Sequence, residues 1–137
     1  MQIILVVEDS LLLLQMLSIL LTTRGYDVIT AKSGYDALKV LDGRHIDMVL
    51  TDLIMPGLDG LELTRKIRTI KTYQTIPILI LTTQSGAEIQ REAQAVGVTG
   101  WVVKPFVAEK LVALIQKNLS LATGDSPAVS GSLRGPG

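Results

Sequence analysis

Five short runs of aliphatic residues alternate with helix-like segments, and this alternation constrains the fold more than any other feature of the chain. The runs are rich in Val, Ile and Leu, which is typical of strands that are covered on both faces. Strands alternating with helices predict a parallel sheet with right-handed crossover connections. We therefore predict an α/β fold with five parallel strands near residues 2–7, 27–31, 46–51, 77–82 and 99–103.

The segments between these runs carry residues that begin and end helices. Ser10, Ser33 and Asp59 can each cap a helix N-terminus. Gly25 and Gly97 are suited to the left-handed residue that often follows a helix. These signals predict five helices within residues 10–25, 33–43, 59–70, 85–97 and 105–121.

The length of 137 residues suits one domain. From residue 123 onward the composition shifts to Gly, Ser and Pro without apolar periodicity. Such a composition cannot bury enough apolar surface to order the chain. We predict one folded domain over residues 1–122 and a disordered tail over residues 123–137. The tail belongs either to the natural protein or to a sequence added during cloning.

Charge, cysteine content and hydropathy exclude several classes of protein. The 13 Lys and Arg residues balance 13 Asp and Glu residues, and no basic run marks a nucleic-acid site. The lack of Cys excludes disulfides and thiolate metal sites, and it fits a reducing compartment. No signal peptide or membrane-spanning run is evident. We expect a cytoplasmic protein that binds neither nucleic acid nor membrane.

Polar residues follow four of the five predicted strands. In an open α/β sheet, the ligand site forms outside the carboxyl ends of the strands. The residues at these ends are therefore expected to meet in one site. They are Glu8 and Asp9 after the first strand, Asp52 at the end of the third, Thr82 and Thr83 at the fourth and Lys104 after the fifth.

The three acids suit a hard divalent cation. Mg²⁺ prefers oxygen ligands and keeps several of its waters. Asp9 and Asp52 can bind it directly, and Glu8 can hold a coordinated water. A cation would also relieve the mutual repulsion of three clustered carboxylates.

The remaining polar residues suit a phosphoryl group. Lys104 supplies a compact positive charge for Asp52 or for phosphoryl oxygens. Thr82 supplies a hydroxyl, and Thr83 supplies a backbone N–H. Carboxylates form aspartyl-phosphate intermediates, so Asp52 is a candidate acceptor. Each residue alone has an ordinary structural explanation, such as helix capping by Asp9, but their convergence favours a site.

Four stretches of the chain resemble the receiver domain of two-component response regulators. The resemblance covers residues 2–121 and implies a doubly wound, flavodoxin-like (βα)5 fold with strand order 2-1-3-4-5. The strand order is implied by the resemblance alone, and the residues of this chain do not establish it. The matching stretches are Leu5–Ser10, Thr51–Gly60, Ile80–Thr83 and Val102–Phe106.

The resemblance implies a role for each site residue. Asp52 accepts a phosphoryl group from a phosphohistidine on a histidine kinase or a phosphotransfer protein. Mg²⁺ is organised by Glu8, Asp9, Asp52 and the backbone carbonyl of Ile54. Lys104 binds the phosphoryl group.

The resemblance also implies a switch and a partner surface. Thr82 moves toward the phosphoryl group, and Trp101 stands where the family usually has Tyr or Phe. The Lys104–Pro105 peptide bond is expected to be cis. A downstream protein is expected to bind the face formed by the fourth helix, the fifth strand and the fifth helix, and the chain itself is expected to be a monomer or weak homodimer.

The segments Leu81–Ser85 and Thr99–Phe106 most resemble stand-alone chemotaxis regulators, and an excised receiver domain of a larger regulator is the alternative. We do not expect a conventional enzyme, although self-phosphorylation from a phosphodonor and slow autodephosphorylation are implied.

Other classes of protein fit the sequence less well. An aspartate-nucleophile phosphohydrolase would carry a second Asp at position 54, where this chain has Ile. Two further alternatives are disfavoured. A flavin-binding module would need a phosphate loop after the first strand, and the segment from Glu8 to Leu11 is not one. A phosphorylation-independent adaptor would not need the acids of the site, which are all present.

Three features depart from close relatives or stand apart from the site. Ile54 and Gln84 replace the more usual Asn and Glu, and we hypothesise that Ile54 orients an attacking water poorly and prolongs phosphorylation. His45, the only histidine, is interpreted as a solvated loop residue.

The first helix is unusually rich in Leu. Its periodicity predicts a core stripe of Leu13, Met16, Leu17 and Leu20. Its flanking leucines, Leu11, Leu14 and Leu21, indicate either a wide core face or a docking or dimer surface. We hypothesise that Leu11 and Leu14 contact the phosphodonor or a second copy.

Overall fold

The five strands form one parallel sheet in the order β2-β1-β3-β4-β5 in a computed structural model that describes residues 1–122. The predicted fold class and strand order are confirmed. The predicted disordered tail, residues 123–137, lies outside the described residues. The strands are β1 (Ile3–Val7), β2 (Asp27–Ala31), β3 (Met48–Asp52), β4 (Ile78–Thr82) and β5 (Gly100–Val103).

Within residues 1–122, four α-helices connect successive strands and a fifth follows β5, and the first three helices start after the predicted capping residues. The side chains of Ser10 and Ser33 accept hydrogen bonds from backbone N–H groups of their helices. Asp59 forms a capping box with Glu62. The helices are α1 (Leu11–Thr23), α2 (Gly34–Val40), α3 (Gly60–Arg68), α4 (Ala87–Val96) and α5 (Ala108–Ala122).

Alternate residues of each strand enter two different apolar layers. Leu5 and Val7 of β1 pack with residues of α2 and α3. Ile4 and Val6 pack on the other face with residues of α1 and α5. The sheet is therefore covered on both faces, as its aliphatic strands predicted. Among the described helices, none has the length and apolarity needed to cross a membrane.

The predicted core stripe of α1 is partly wrong. Leu14, Leu17 and Leu21 are buried, whereas Met16 is 55% exposed. The hypothesis that Leu14 contacts a partner is therefore wrong, while Leu11 is exposed. A helix that is apolar all round carries no contrast from which its buried face can be read.

A short 3-10 helix at Lys71–Tyr73 was not predicted. Its Tyr73 ring is buried, and the hydroxyl accepts a hydrogen bond from Gly43 N at 2.9 Å. The same hydroxyl donates to Arg44 O at 2.7 Å. Tyr73 therefore ties the loop before β3 to the segment before β4.

Candidate functional site

The acids predicted from the strand ends lie together at the carboxyl edge of the sheet. β1 and β3 are neighbours, so Glu8 and Asp9 emerge beside Asp52. One carboxylate oxygen from each of the three residues lies within 4.8 Å of the others. Glu8 and Asp52 are buried, and Asp9 is exposed. The clustering expected of a metal site is thus present.

Lys104 brings a positive charge into this cluster from β5, on the far side of β4. Its Nζ lies 3.2 Å from Glu8 Oε1 and 3.4 Å from Asp52 Oδ2. Its backbone N–H donates to Thr82 O at 2.7 Å, which anchors the residue to the end of β4. The sequence predicted a pairing with Asp52, and the structure adds Glu8 as a second partner. The Lys104–Pro105 peptide bond is cis.

Burial makes the charged form of Glu8 costly. Desolvation raises the pKa of Glu8, and the nearby Asp52 carboxylate raises it further. The hydrogen bond from Ser10 N to Glu8 Oε2, at 3.0 Å, and the Lys104 ammonium lower the pKa. One lysine therefore faces two buried acids, an arrangement that a bound cation would neutralise.

Asp52 is held by the turn that follows it. Its Oδ1 accepts a hydrogen bond from Leu53 N at 2.7 Å, which leaves Oδ2 on the side of Lys104. Gly60 N donates to Leu53 O at 2.8 Å. A Cβ on Gly60 would lie 2.5 Å from Asp52 O, so only glycine lets α3 begin this close to the end of β3. Ile54, two residues after Asp52, has an exposed side chain.

The loop after β4 carries the remaining predicted residues. Thr82 is buried, and its Oγ1 accepts a hydrogen bond from Gln84 N at 3.3 Å. Thr83 and Gln84 are exposed. Trp101 Nε1 donates to Gln84 O at 2.9 Å, a contact that the sequence did not predict. The sequence did hold one sign of this contact. Trp101 replaces the family's usual Tyr or Phe, and of these three side chains only Trp carries a ring N–H that can donate a hydrogen bond.

Trp101 is half-buried and packs with the apolar cluster between the sheet and α4. It therefore links the loop of Thr82 to β5 and α4. His45 lies in the loop before β3, outside this site, with an exposed side chain 2.9 Å from Asp47 Oδ1. Its interpretation as a solvated loop residue agrees with this placement.

A family model described as the response regulator receiver domain matches residues 4–116. The chain therefore belongs to this family. Its members are signalling switches that act with histidine kinases and downstream targets, and they are not conventional enzymes.

Known proteins agree with this assignment. A chemotaxis protein CheY homolog of Campylobacter jejuni is 33% identical over 127 residues, which cover 91% of this chain and 98% of that protein. The chemotaxis protein CheY4 of Vibrio cholerae superposes with a TM-score of 0.84 at 39% identity, over 86% of this chain and 98% of that one.

A second similar structure contains a metal ion. The receiver domain of the sensor histidine kinase PA1611 from Pseudomonas aeruginosa has a TM-score of 0.80 and 28% identity, over 87% of this chain and 98% of that one. That structure has a magnesium ion coordinated in its active-site cleft.

Proposed function

We propose that residues 1–122 form a phosphoacceptor switch of the chemotaxis type, with Asp52 as the acceptor. The observation that carries this proposal is the position of Asp52 Oδ2, 3.4 Å from Lys104 Nζ and clustered with Glu8 and Asp9. Family membership supports the class, and the site geometry supports the choice of acceptor.

The proposed step is a phosphoryl transfer. A carboxylate oxygen of Asp52 attacks the phosphorus of a phosphohistidine on a kinase or phosphotransfer protein. The P–N bond breaks, the imidazole leaves, and Asp52 becomes an acyl phosphate. Positioning and charge neutralisation supply most of the catalysis in such transfers.

The three acids fit Mg²⁺, because they bring three hard oxygen donors within 4.8 Å of one another. Glu8, Asp9, Asp52 and the carbonyl of Ile54 would hold it. A bound Mg²⁺ would supply positive charge to the phosphoryl oxygens. Lys104 also binds those oxygens, and it exchanges its contact with Asp52 for one with the phosphoryl group.

The readout runs through the loop after β4. Thr82 and the N–H of Thr83 are the donors proposed for the phosphoryl oxygens. A movement of Thr82 shifts Gln84, whose carbonyl holds the Trp101 indole. The face formed by α4, β5 and α5 changes with Trp101, and a downstream protein reads it. A cytoplasmic location belongs to the same proposal.

Small-molecule phosphorylation tests this function without knowledge of the kinase. The full chain is incubated with Mg²⁺ and acetyl phosphate, and intact mass is measured. We expect one added phosphoryl group on the wild type and none on Asp52→Asn. Asp47→Asn, a change of the same size outside the site, should be modified like the wild type. Equal modification of Asp52→Asn, or an unmodified wild type, would contradict the proposal.

Turnover distinguishes the switch from a phosphohydrolase. An aspartate-nucleophile hydrolase should release phosphate from small phosphate esters through many cycles. Position 54 is an isoleucine, which cannot act as the acid–base group of such an enzyme. We expect slow loss of the single phosphoryl group and no sustained ester hydrolysis.

A further inference from the structure

The loop between β3 and α3, residues 53–59, is fastened by hydrogen bonds at its two ends. At its start, Leu53 N donates to Asp52 Oδ1 at 2.7 Å, and Leu53 O accepts from Gly60 N at 2.8 Å. At its end lies the capping box of α3. Among the backbone hydrogen bonds of the described chain, none involves residues 54–58. The middle of the loop is therefore held by packing.

The packing that holds the middle of the loop comes largely from the first turn of α2. Met55 and Leu58 are buried in the apolar layer that α2 and α3 share with the sheet. Gly34, the first residue of α2, packs directly against Leu58. The ring of Tyr35 packs against Gly57, where a Cβ would lie 3.0 Å from Tyr35 Cε2. The start of α2 thus covers the loop on one side.

Tyr35 lies against the loop although it gains little burial there. Its side chain is 57% exposed, and its hydroxyl makes no hydrogen bond to any described residue. Gly57 is exposed and has a φ of +81°. Glycine has more conformational freedom than any other residue, so an unrestrained Gly57 would let the loop move. A ring packed against it reduces that freedom.

The segment that leads into α2 is also tied to the acids of the site. Glu8 N donates to Ala31 O, at the end of β2, with a distance of 3.0 Å. The chain then passes through the cap residue Ser33 to Tyr35. This short segment therefore contacts the Glu8 backbone at one end and the loop that carries the Ile54 carbonyl at the other.

We propose that Tyr35 is a positioning residue for Mg²⁺. Its ring holds the loop in the conformation in which the Ile54 carbonyl can join the three acids as a ligand. This role rests on the proposed function, which assigns that carbonyl to the metal site. Groups outside the ligand shell that hold a ligand in place commonly set metal affinity. Because the ring makes the contact with Gly57, the hydroxyl of Tyr35 should be dispensable.

Calorimetric titration of the full chain with Mg²⁺, in the absence of any phosphodonor, tests the proposal. Tyr35→Ala should bind Mg²⁺ about fivefold more weakly than the wild type, somewhat less than the roughly 10–100-fold loss typical when a direct partner of a ligand is removed. Tyr35→Phe keeps the ring and should bind like the wild type. Leu121→Ala, which shortens a comparably exposed side chain on α5, should also bind like the wild type.

Nuclear magnetic resonance relaxation of backbone amides tests the physical cause. In metal-free buffer, Tyr35→Ala should increase the fast motion of residues 54–57, whereas Tyr35→Phe should not. The strands and the rest of α2 should be unaffected in both variants. A loss of order spread over the whole domain would contradict a role confined to the loop.

The titration and the acetyl phosphate experiment separate this proposal from the proposed function. Equal Mg²⁺ affinity of Tyr35→Ala and the wild type would overturn the role of Tyr35, even if Asp52 is phosphorylated. So would a loss that Tyr35→Phe shares, or a wild type that binds no Mg²⁺. A wild type that binds Mg²⁺, loses affinity in Tyr35→Ala and yet is not modified by acetyl phosphate would support the role of Tyr35 and contradict the phosphoacceptor function.

Discussion

The two edges of the sheet use polar side chains in different ways. At the amino edge, side chains satisfy backbone groups where strands begin. Asp47 Oδ2 accepts from Ile3 N at 2.7 Å, and Thr99 Oγ1 accepts from Ile78 N at 3.0 Å. Arg68 donates to the carbonyls of Gly97 and Tyr73. These contacts fasten loops and strand starts to one another.

At the carboxyl edge, the acids and the lysine face mainly one another. Glu8 and Asp52 lie side by side in a buried position with Lys104 as their shared cation. α4 begins there without a side-chain cap, since its N-cap residue is Gly86. Only Ala93 of α4 is buried.

The comparison shows that the polar side chains of the amino edge stabilise the fold, whereas those of the carboxyl edge destabilise it. Side chains that satisfy buried backbone groups stabilise the amino edge. Clustered acids at the carboxyl edge repel one another, but they form the proposed binding site. Mutations at the two edges should therefore have opposite effects on stability and function.

Loss of the lysine should have the largest effect. In Lys104→Ala we expect acetyl phosphate to modify Asp52 about 100-fold more slowly, as is typical when one electrostatic stabiliser is removed. Phosphate-affinity gels would measure the rate. The surface variant Lys110→Ala serves as the control, and a similar loss in both would show that the contact to Asp52 is unimportant.

Tyr73→Phe should affect the other edge alone. It removes a buried hydroxyl that bonds both Gly43 N and Arg44 O. We expect the free energy of unfolding to fall by about 1–3 kcal/mol. Urea denaturation would measure this, with Tyr35→Phe, an exposed tyrosine, as control. If the phosphorylation rate of Tyr73→Phe falls together with its stability, the two edges do not have separate roles.

Matched Asp→Asn changes test the comparison directly. In metal-free buffer, Asp52→Asn should raise the free energy of unfolding by about 1 kcal/mol, because it relieves the repulsion with Glu8. Asp47→Asn should lower it by about 1 kcal/mol, because the amide is a weaker acceptor for Ile3 N. Thermal unfolding with EDTA would measure both. Shifts of the same sign would refute the proposed division of roles.

The smallest expected effect concerns the lifetime of the phosphorylated state. Ile54 has an exposed apolar side chain that cannot orient an attacking water. In Ile54→Asn we expect autodephosphorylation to be about 3-fold faster, as a water-positioning group is gained. Phosphate release after removal of the donor gives the rate, and Leu12→Asn controls for a new surface amide. An unchanged rate would remove Ile54 from the mechanism.

Much of the site was predictable because parallel strands end at a common edge. Glu8, Asp9, Asp52, Thr82 and Lys104 each follow an aliphatic run, so their convergence followed from the order of the elements. The capping residues Ser10, Ser33 and Asp59 were likewise predictable, since caps act within four residues. Local rules of this kind need no knowledge of the packed structure.

Contacts between distant segments were not predictable in the same way. The second pairing of Lys104 with Glu8, the bond from Trp101 to Gln84 and the bridge made by Tyr73 join residues that are far apart in sequence. Each depends on a helix or loop position that only packing sets. The buried face of α1 also escaped prediction, because leucines surround the helix.

By itself, the sequence determined the alternation of strands and helices, the parallel sheet and the residues that can take part in its chemistry. It did so because strand and helix periods and helix caps are local properties. The tertiary structure decided which carboxylate oxygens meet, which acid shares the lysine and which leucines of α1 remain exposed. Those outcomes depend on side-chain packing between segments that lie far apart along the chain, which no local pattern records.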